Sequence, residues 1–392
     1  MERLIYYALI PELFARVVLE FGLGMFSFAL FEQKLAMYYG ILFIEYLFQI
    51  KKMVKGKFYP DQSLLVALFF GFLALHGLLL GIGWKNNPIK IATDTIPLVI
   101  AAINIVLATH ANAFKGMSFD RMAKANIAFV AIMVFFGALA VKLGKPSVVS
   151  LGGAVSTTIS ITIIVVSVWG RRHFSIIFVL FNLVVFALIA PNFNRTTLAF
   201  LLIAALIIFF RTIAISGFRL YLFFVMIGIA AVSLPLLVPP ESPLGHRIAA
   251  MTGPGEVKEG SGSVGEREEE STAIDKKINE GGLLAQAIGY GHGAVYDMVF
   301  SNGFAPPNYS NAHFGWALFK LRYGYCGYIY LTIFALFVMI NIHRNVYSKQ
   351  PFNRMVLIIG LASIGYIVTY MVFNIIASGI QFMHRRPDQG SE

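Results

Sequence analysis

The sequence predicts an all-α fold: a polytopic transmembrane helical bundle of about 11 spans, within a range of about 10–12, with one large outer loop containing short helices. Composition is the first ground: 58% of the 392 residues are hydrophobic and 13% charged, with a mean hydropathy of +0.74, whereas soluble domains hold roughly 45–50% apolar residues. Recurrence is the second, because apolar runs approaching the ~20 residues that cross a bilayer continue from the start of the chain to about residue 380. The third is the placement of Lys and Arg, which gather in alternate connections between those runs.

Taken in order, the first apolar run (5–30) carries Arg16 and Glu20 four residues apart on one helix face. It predicts an interfacial or paired-charge helix more than a simple span. It lacks a small-residue cleavage site after a clean apolar core, so a removed signal peptide is not expected. Further candidates follow at 35–50, 62–83, 94–110, 125–143, 155–169, 174–190, 197–210 and 218–238. After a long polar stretch come 325–340 and 355–378. The chain thus divides into a first bundle part (1–238), a large outer loop (239–315) and C-terminal transmembrane helices with a tail (316–392).

Sidedness follows from charge. Lys51, Lys52, Lys55 and Lys57, then Lys115, Arg121 and Lys124, then Arg171 and Arg172, Arg211 and Arg219, and finally Arg344, Lys349 and Arg354 share one side if the spans alternate. The other side holds fewer cations in its short connections (Lys34, Lys85, Lys90, Lys142, Lys145, Arg195) and is therefore outside. The same count places 239–315 outside, and also His384, Arg385 and Arg386, against the charge rule. Within the loop, Gly260-Ser261-Gly262-Ser263 leads into a stretch that predicts a short soluble helix over Arg267 to Ile278.

Several function classes lose support. The +11 charge has a topological origin, and with no basic helix interleaved with aromatics, no nucleic-acid partner is expected. Cys326 is the single cysteine, which excludes an intramolecular disulfide or a cysteine metal cluster. No phosphate loop, His-Glu-x-x-His, Gly-x-Ser-x-Gly or Asp-x-Asp occurs. Gly289, Gly291 and Gly293 form a Gly-x-Gly-x-Gly string, but it follows a helical stretch instead of a strand, and a plain tight turn is the better account.

The residues that could carry chemistry gather at the outer face. Taken alone, Arg195, at the outer start of a span, is accounted for by snorkelling to the headgroups, and Arg267, amid Glu266, Glu268, Glu269 and Glu270, by solvation. His313 precedes a span whose first turns carry Lys320 and Arg322, cations that favour a neutral imidazole able to accept a proton. As a set, two arginines and a histidine at one outer surface could bind a diphosphate with guanidinium forks while the histidine serves as base. A lipid-diphosphate substrate fits this set better than a free ion.

These stretches resemble the O-antigen ligase and O-antigen polymerase superfamily of bacterial envelope glycosyltransferases. Asn194-Arg195-Thr196 followed by 198–210 is similar to the family's Ser-Arg-then-apolar-helix signature, with Asn where Ser is commoner. Ser261-Gly262-Ser263 with Arg267, then Ile288-Gly289-Tyr290-Gly291-His292-Gly293, resembles its order of arginine, short helix and Gly-x-Gly, although Ser271 stands where an aromatic is usual. Asn311-Ala312-His313 with Gly324 and Gly327 resembles Ala-His-Asn and a Gly-x-x-Gly helix, with Phe314 in place of Asn. An early outer loop is suggested by His76-Gly77, Gly81-Ile82-Gly83, Lys85-Asn86-Asn87 and Asp94.

The resemblance implies an inverting GT-C-type enzyme of the bacterial inner membrane, its site facing the periplasm, with no metal or other cofactor. Its donor would be an undecaprenyl-diphosphate-linked oligosaccharide and its acceptor lipid A-core or a growing glycan. Arg195 and Arg267 would hold the diphosphate and His313 would be the catalytic base; Lys85, Lys320 and Arg322 are weaker candidates for the same anionic site. The order of second arginine, Gly-x-Gly and His favours a ligase over a repeat-unit polymerase. A lipid-linked glycan transporter or flippase is the alternative from another class, though no inverted repeat is visible, and a non-catalytic scaffold is a third.

Overall fold

The computed structural model describes residues 13–24, 44, 47–48, 62–110, 116–143, 160, 162–166, 265–298, 315–369 and 382–383. The regular elements among these residues are all helices, with no strand. After a π-helical segment (Ala15–Gly22) come α1 (Ser63–Gly83), α2 (Pro88–Ala108), α3 (Phe119–Lys142), α4 (Gly265–Glu280), α5 (Gly282–Ile288), α6 (Gly315–Tyr323), α7 (Cys326–Val346) and α8 (Pro351–Thr369). Three of these, α1, α2 and α7, are long and apolar enough to cross a membrane. At 21 residues each and about 1.5 Å per residue they reach roughly 31 Å, the thickness of the hydrocarbon core.

The π-helical segment buries Glu20 and packs Phe21 on Phe136 of α3, ring centroids 4.9 Å apart. Of the two charges expected to pair in this stretch, Glu20 is buried, and the side chain of Arg16 lies outside the described residues.

Helix α2 starts earlier than hydropathy suggests, at Pro88 instead of near residue 94. Asn87 caps it, its Oδ1 accepting from the backbone N–H of Ile89 (2.9 Å) and Lys90 (3.4 Å), and Pro88 takes the first turn, where its missing N–H costs nothing. Lys90 and Asp94 depress the hydropathy of that turn, yet both are buried. The expected early outer loop therefore shrinks to residues 84–87, and Asp94 belongs to a helix.

A second correction concerns α6. Lys320 and Arg322 do not lie on the first turns of the span beginning near 325; they belong to a separate nine-residue helix. Gly324, at φ +60°, donates its N–H to the Lys320 carbonyl at 2.8 Å and ends α6 in the left-handed manner that favours glycine. The chain then turns directly into α7.

The core joins α1, α2, α6 and α7. Phe70 and Leu73 of α1, Leu98 and Ile105 of α2, Phe319 and Tyr323 of α6, and Phe334 and Val338 of α7 form one buried cluster. A second cluster caps one end of this core: Ile274 and Ile278 of α4 pack with Ala317, Leu318 and Leu321 of α6 and with Tyr296 and Met298.

Helix α7 shows how the bundle meets lipid. Tyr325, Ile329, Leu336, Ile340 and Tyr347 are exposed along one stripe, with tyrosines about 33 Å apart at its two ends. That matches the aromatic belts flanking a bilayer.

Candidate functional site

The 84–87 turn joins α1 to α2, and onto it docks the Gly289–Gly293 loop that follows α5. All five backbone N–H groups of that loop are bonded. Gly289 donates to the Ala285 carbonyl, Tyr290 to Leu321, Gly291 to Arg322 and His292 to Gly77, at 2.8–2.9 Å, while Gly293 donates to Asp94 Oδ2 at 2.8 Å. The loop thus caps carbonyls at the end of α6 that the helix itself cannot satisfy. Its own carbonyls are held by the turn: Trp84 Nε1–H donates to Gly289 at 3.2 Å, and Asn86 Nδ2 to Tyr290 and His292 at 2.8 Å each.

A plain tight turn is therefore not what the glycine string forms. The residues of the α1–α2 turn that hold its carbonyls lie about two hundred positions away in sequence, and the loop is seated against three other elements. Gly289, Gly291 and Gly293 have φ of +77°, +74° and +74°, a left-handed region costly to other residues. Close approach is the second requirement: a Cβ on Gly77 would strike the His292 ring, and one on Gly81 the His292 carbonyl.

Beneath the loop lies a buried ion pair. Arg322 Nη2 of α6 meets Asp94 Oδ1 of α2 at 2.6 Å, with both side chains almost fully buried. One carboxylate therefore holds the end of α6 with one oxygen and the docked loop with the other. Either charge alone would be costly at this depth.

His292 has no exposed surface. Its Nδ1 lies 2.7 Å from Thr95 Oγ1 and its Nε2 2.8 Å from the Tyr323 hydroxyl. Tyr323 also contacts the Leu73 carbonyl at 3.3 Å, which can only accept. Tyr323 must then donate to Leu73 and accept from His292, so Nε2 carries the proton and Nδ1 accepts from Thr95. The ring is neutral in this arrangement. Burial, the Arg322 guanidinium and His76 hold its pKa well below the ordinary histidine value.

Lys320 of α6 reaches Asp275 Oδ1 of α4 at 2.6 Å. Burial alone would lower its pKa, but the hydrogen bond and charge of Asp275 outweigh that and raise it. The ammonium also stands 5.5 Å from the Tyr325 ring centroid.

Of the residues expected to act, Arg195 and His313 lie outside the described residues. Arg267 falls in the first turn of α4. Lys85 is exposed at the α1–α2 turn with φ +57°, while Lys320 and Arg322 are each paired with a carboxylate. Sequence reasoning did not find His292, Thr95, Tyr323, Trp84 or Asn86 as a working group. The available signal was a histidine and a tyrosine alternating with three glycines, together with two ionisable residues, Lys90 and Asp94, inside an apolar segment.

No protein family, characterised protein or solved structure matches the chain. The resemblance drawn from short motifs thus gains no support from relatives, and what the site can do rests on its own geometry. Among the described residues no group of three His, Cys, Asp or Glu side chains could hold a metal ion. His292, bonded at both nitrogens and closed to solvent, is a positioning residue: it fixes the Gly289–Gly293 loop and α6 to the α1–α2 hairpin.

Proposed function

We propose that the chain is an inner-membrane glycosyltransferase of about 11 spans that transfers a glycan from an undecaprenyl-diphosphate carrier to an acceptor sugar hydroxyl, in the manner of an O-antigen ligase, at the periplasmic face. The observation that carries this reading is the junction of α4 and α6. Helix α4 bears Arg267 eight residues before Asp275, about 12 Å along the axis, and α6 begins two residues after His313. The Asp275–Lys320 bridge and the packing of Ile274 and Ile278 on α6 join these two helices at the outer end of the bundle, beside the docked loop.

In this mechanism Arg195 and Arg267 bind the diphosphate and neutralise the charge that grows on it as the anomeric C–O bond breaks. His313 takes the proton of the acceptor hydroxyl, whose oxygen attacks the anomeric carbon from the opposite face with inversion. The bonding pair leaves with the carrier diphosphate. Lys320 and Arg322, each neutralised by a carboxylate at 2.6 Å, hold the helices in place instead of contacting the diphosphate.

The test is genetic. Cells lacking the gene are complemented with Arg195→Ala, Arg267→Ala or His313→Ala, and surface glycolipid is resolved on a gel. Ligase function predicts loss of all glycan from lipid A-core with any of the three, whereas core bearing a single repeat unit would identify a polymerase instead. Full restoration by all three variants at normal protein levels would remove the site assignment.

A further inference from the structure

From the exposure and attachment of α5 we infer that this helix is a membrane-surface anchor, whose Leu283 and Leu284 insert into the acyl region of the outer leaflet. Leu283 is 84% exposed, the largest value among the exposed hydrophobic residues described, and Leu284 is 60% exposed. The helix, Gly-Leu-Leu-Ala-Gln-Ala-Ile, contains no charged residue. The preceding α4 is strongly charged, with Lys276 and Glu280 exposed. The change from polar to apolar surface falls at Gly281-Gly282, where φ of +73° at Gly282 turns the chain.

Seven residues are too few to form a stable helix alone, so α5 is held by its attachments. Ala285 is buried and accepts from the Gly289 N–H, while the Gln286 carbonyl accepts from the Tyr325 N–H at 2.8 Å. Tyr325 is the residue at which the lipid-facing stripe of α7 begins, with Ile329 one turn further along it. The leucine pair is thereby tied to the level of the outer aromatic belt, and its apolar surface continues that of α7.

Exposed leucines on a water-facing loop carry no advantage, whereas an apolar face at headgroup depth is what interfacial helices bury. Lys320, over the Tyr325 ring and bridged to Asp275 of α4, ties α4 to the same level. The anchor holds α4, and with it Arg267, against the membrane surface. The inference stands on the membrane reading of α7 and not on glycosyl transfer.

The full-length chain is suited to a depth measurement because Cys326 is its single cysteine. In a Cys326→Ala background, Leu283→Cys is labelled with a nitrobenzoxadiazole dye and the protein is placed in nanodiscs of phosphatidylethanolamine and phosphatidylglycerol. Leu284→Cys gives a second position should the first fail to incorporate, and Lys276→Cys serves as a control above the membrane. We expect blue-shifted emission at both leucine positions, loss of more than half of it to a lipid spin-labelled high on its acyl chain, and little loss to iodide; Lys276→Cys should show the reverse. Quenching of the leucine positions by iodide alone overturns the anchor in favour of a water-facing loop, and protection from both quenchers overturns it in favour of a protein partner. Neither readout depends on turnover, so its failure is separable from failure of the proposed reaction.

Discussion

Asp94 shows how far single residues could be understood before their partners were known. As a carboxylate next to an apolar run it was visible as polar, but its partner Arg322 lies 228 positions away, and no local pattern links the two. His292 is similar: its setting between glycines was plain, while Thr95 and Tyr323, which fix its tautomer, lie far off in sequence. Its neutrality has a measurable consequence. Undocked, the imidazole takes up a proton near its ordinary pKa of about 6.5; docked, its pKa lies well below that, through burial first, then Arg322 and His76. The other charged group bonded at this site, Asp94 on α2, is already engaged by Arg322 and Gly293. The undocked state therefore binds more protons as pH falls below about 6.5, and docking weakens by up to about tenfold per pH unit there. Thermal unfolding of the purified chain should shift to lower temperature between about pH 7.5 and about pH 5.5, and His292→Gln should reduce that shift. Equal shifts in the two proteins would dissociate His292 from the latch.

At the level of elements, hydropathy located the helices better than their ends. Segments near 62–83, 94–110 and 325–340 correspond to α1, α2 and α7, and the short outer helix expected over Arg267 to Ile278 is the middle of α4. The misplaced boundaries have physical causes. Lys90 and Asp94 disguise the start of α2 because both are charged yet buried, Asp94 against the docked loop, and Gly324 separates α6 from α7 by a backbone conformation that hydropathy does not register. The glycine loop is the element most dependent on distant structure, and Gly291 tests it. A methyl group there would meet the backbone of Leu80 and Gly81, atoms that cannot rotate aside, and the left-handed conformation costs a residue other than glycine roughly 1–2 kcal/mol in addition. Gly291→Ala should undock the loop and expose the 281–298 region to limited proteolysis, while the apolar packing of α1 and α2 below it keeps the hairpin folded. Wild-type protease resistance in the variant would mean that the backbone at this point can move aside.

For the whole molecule, charge sorting assigned the 84–87 turn and the 239–315 loop to the same side, and the structure brings the Gly289–Gly293 part of that loop onto that turn. At the opposite end, Arg344 near the end of α7 donates to Gln62 Oε1 at the start of α1, 2.5 Å away. This puts the beginning of α1 and the end of α7 together, where the sequence placed its lysine- and arginine-rich connections. The two ends of the bundle are thus sorted by contact as they were by charge, and the absolute orientation becomes a labelling experiment. In a Cys326→Ala background, Lys85→Cys and Lys349→Cys place single thiols at opposite ends, both at exposed positions. Positive-inside sorting predicts that an impermeant maleimide labels Lys85→Cys in spheroplasts with an intact inner membrane, and labels Lys349→Cys only after that membrane is permeabilised. The reverse pattern would turn the bundle over and place the docked loop, with α4 and α6, in the cytoplasm, away from any periplasmic acceptor. Labelling of both thiols from outside would be more damaging, since α1 and α7 could then not cross the bilayer between those two positions.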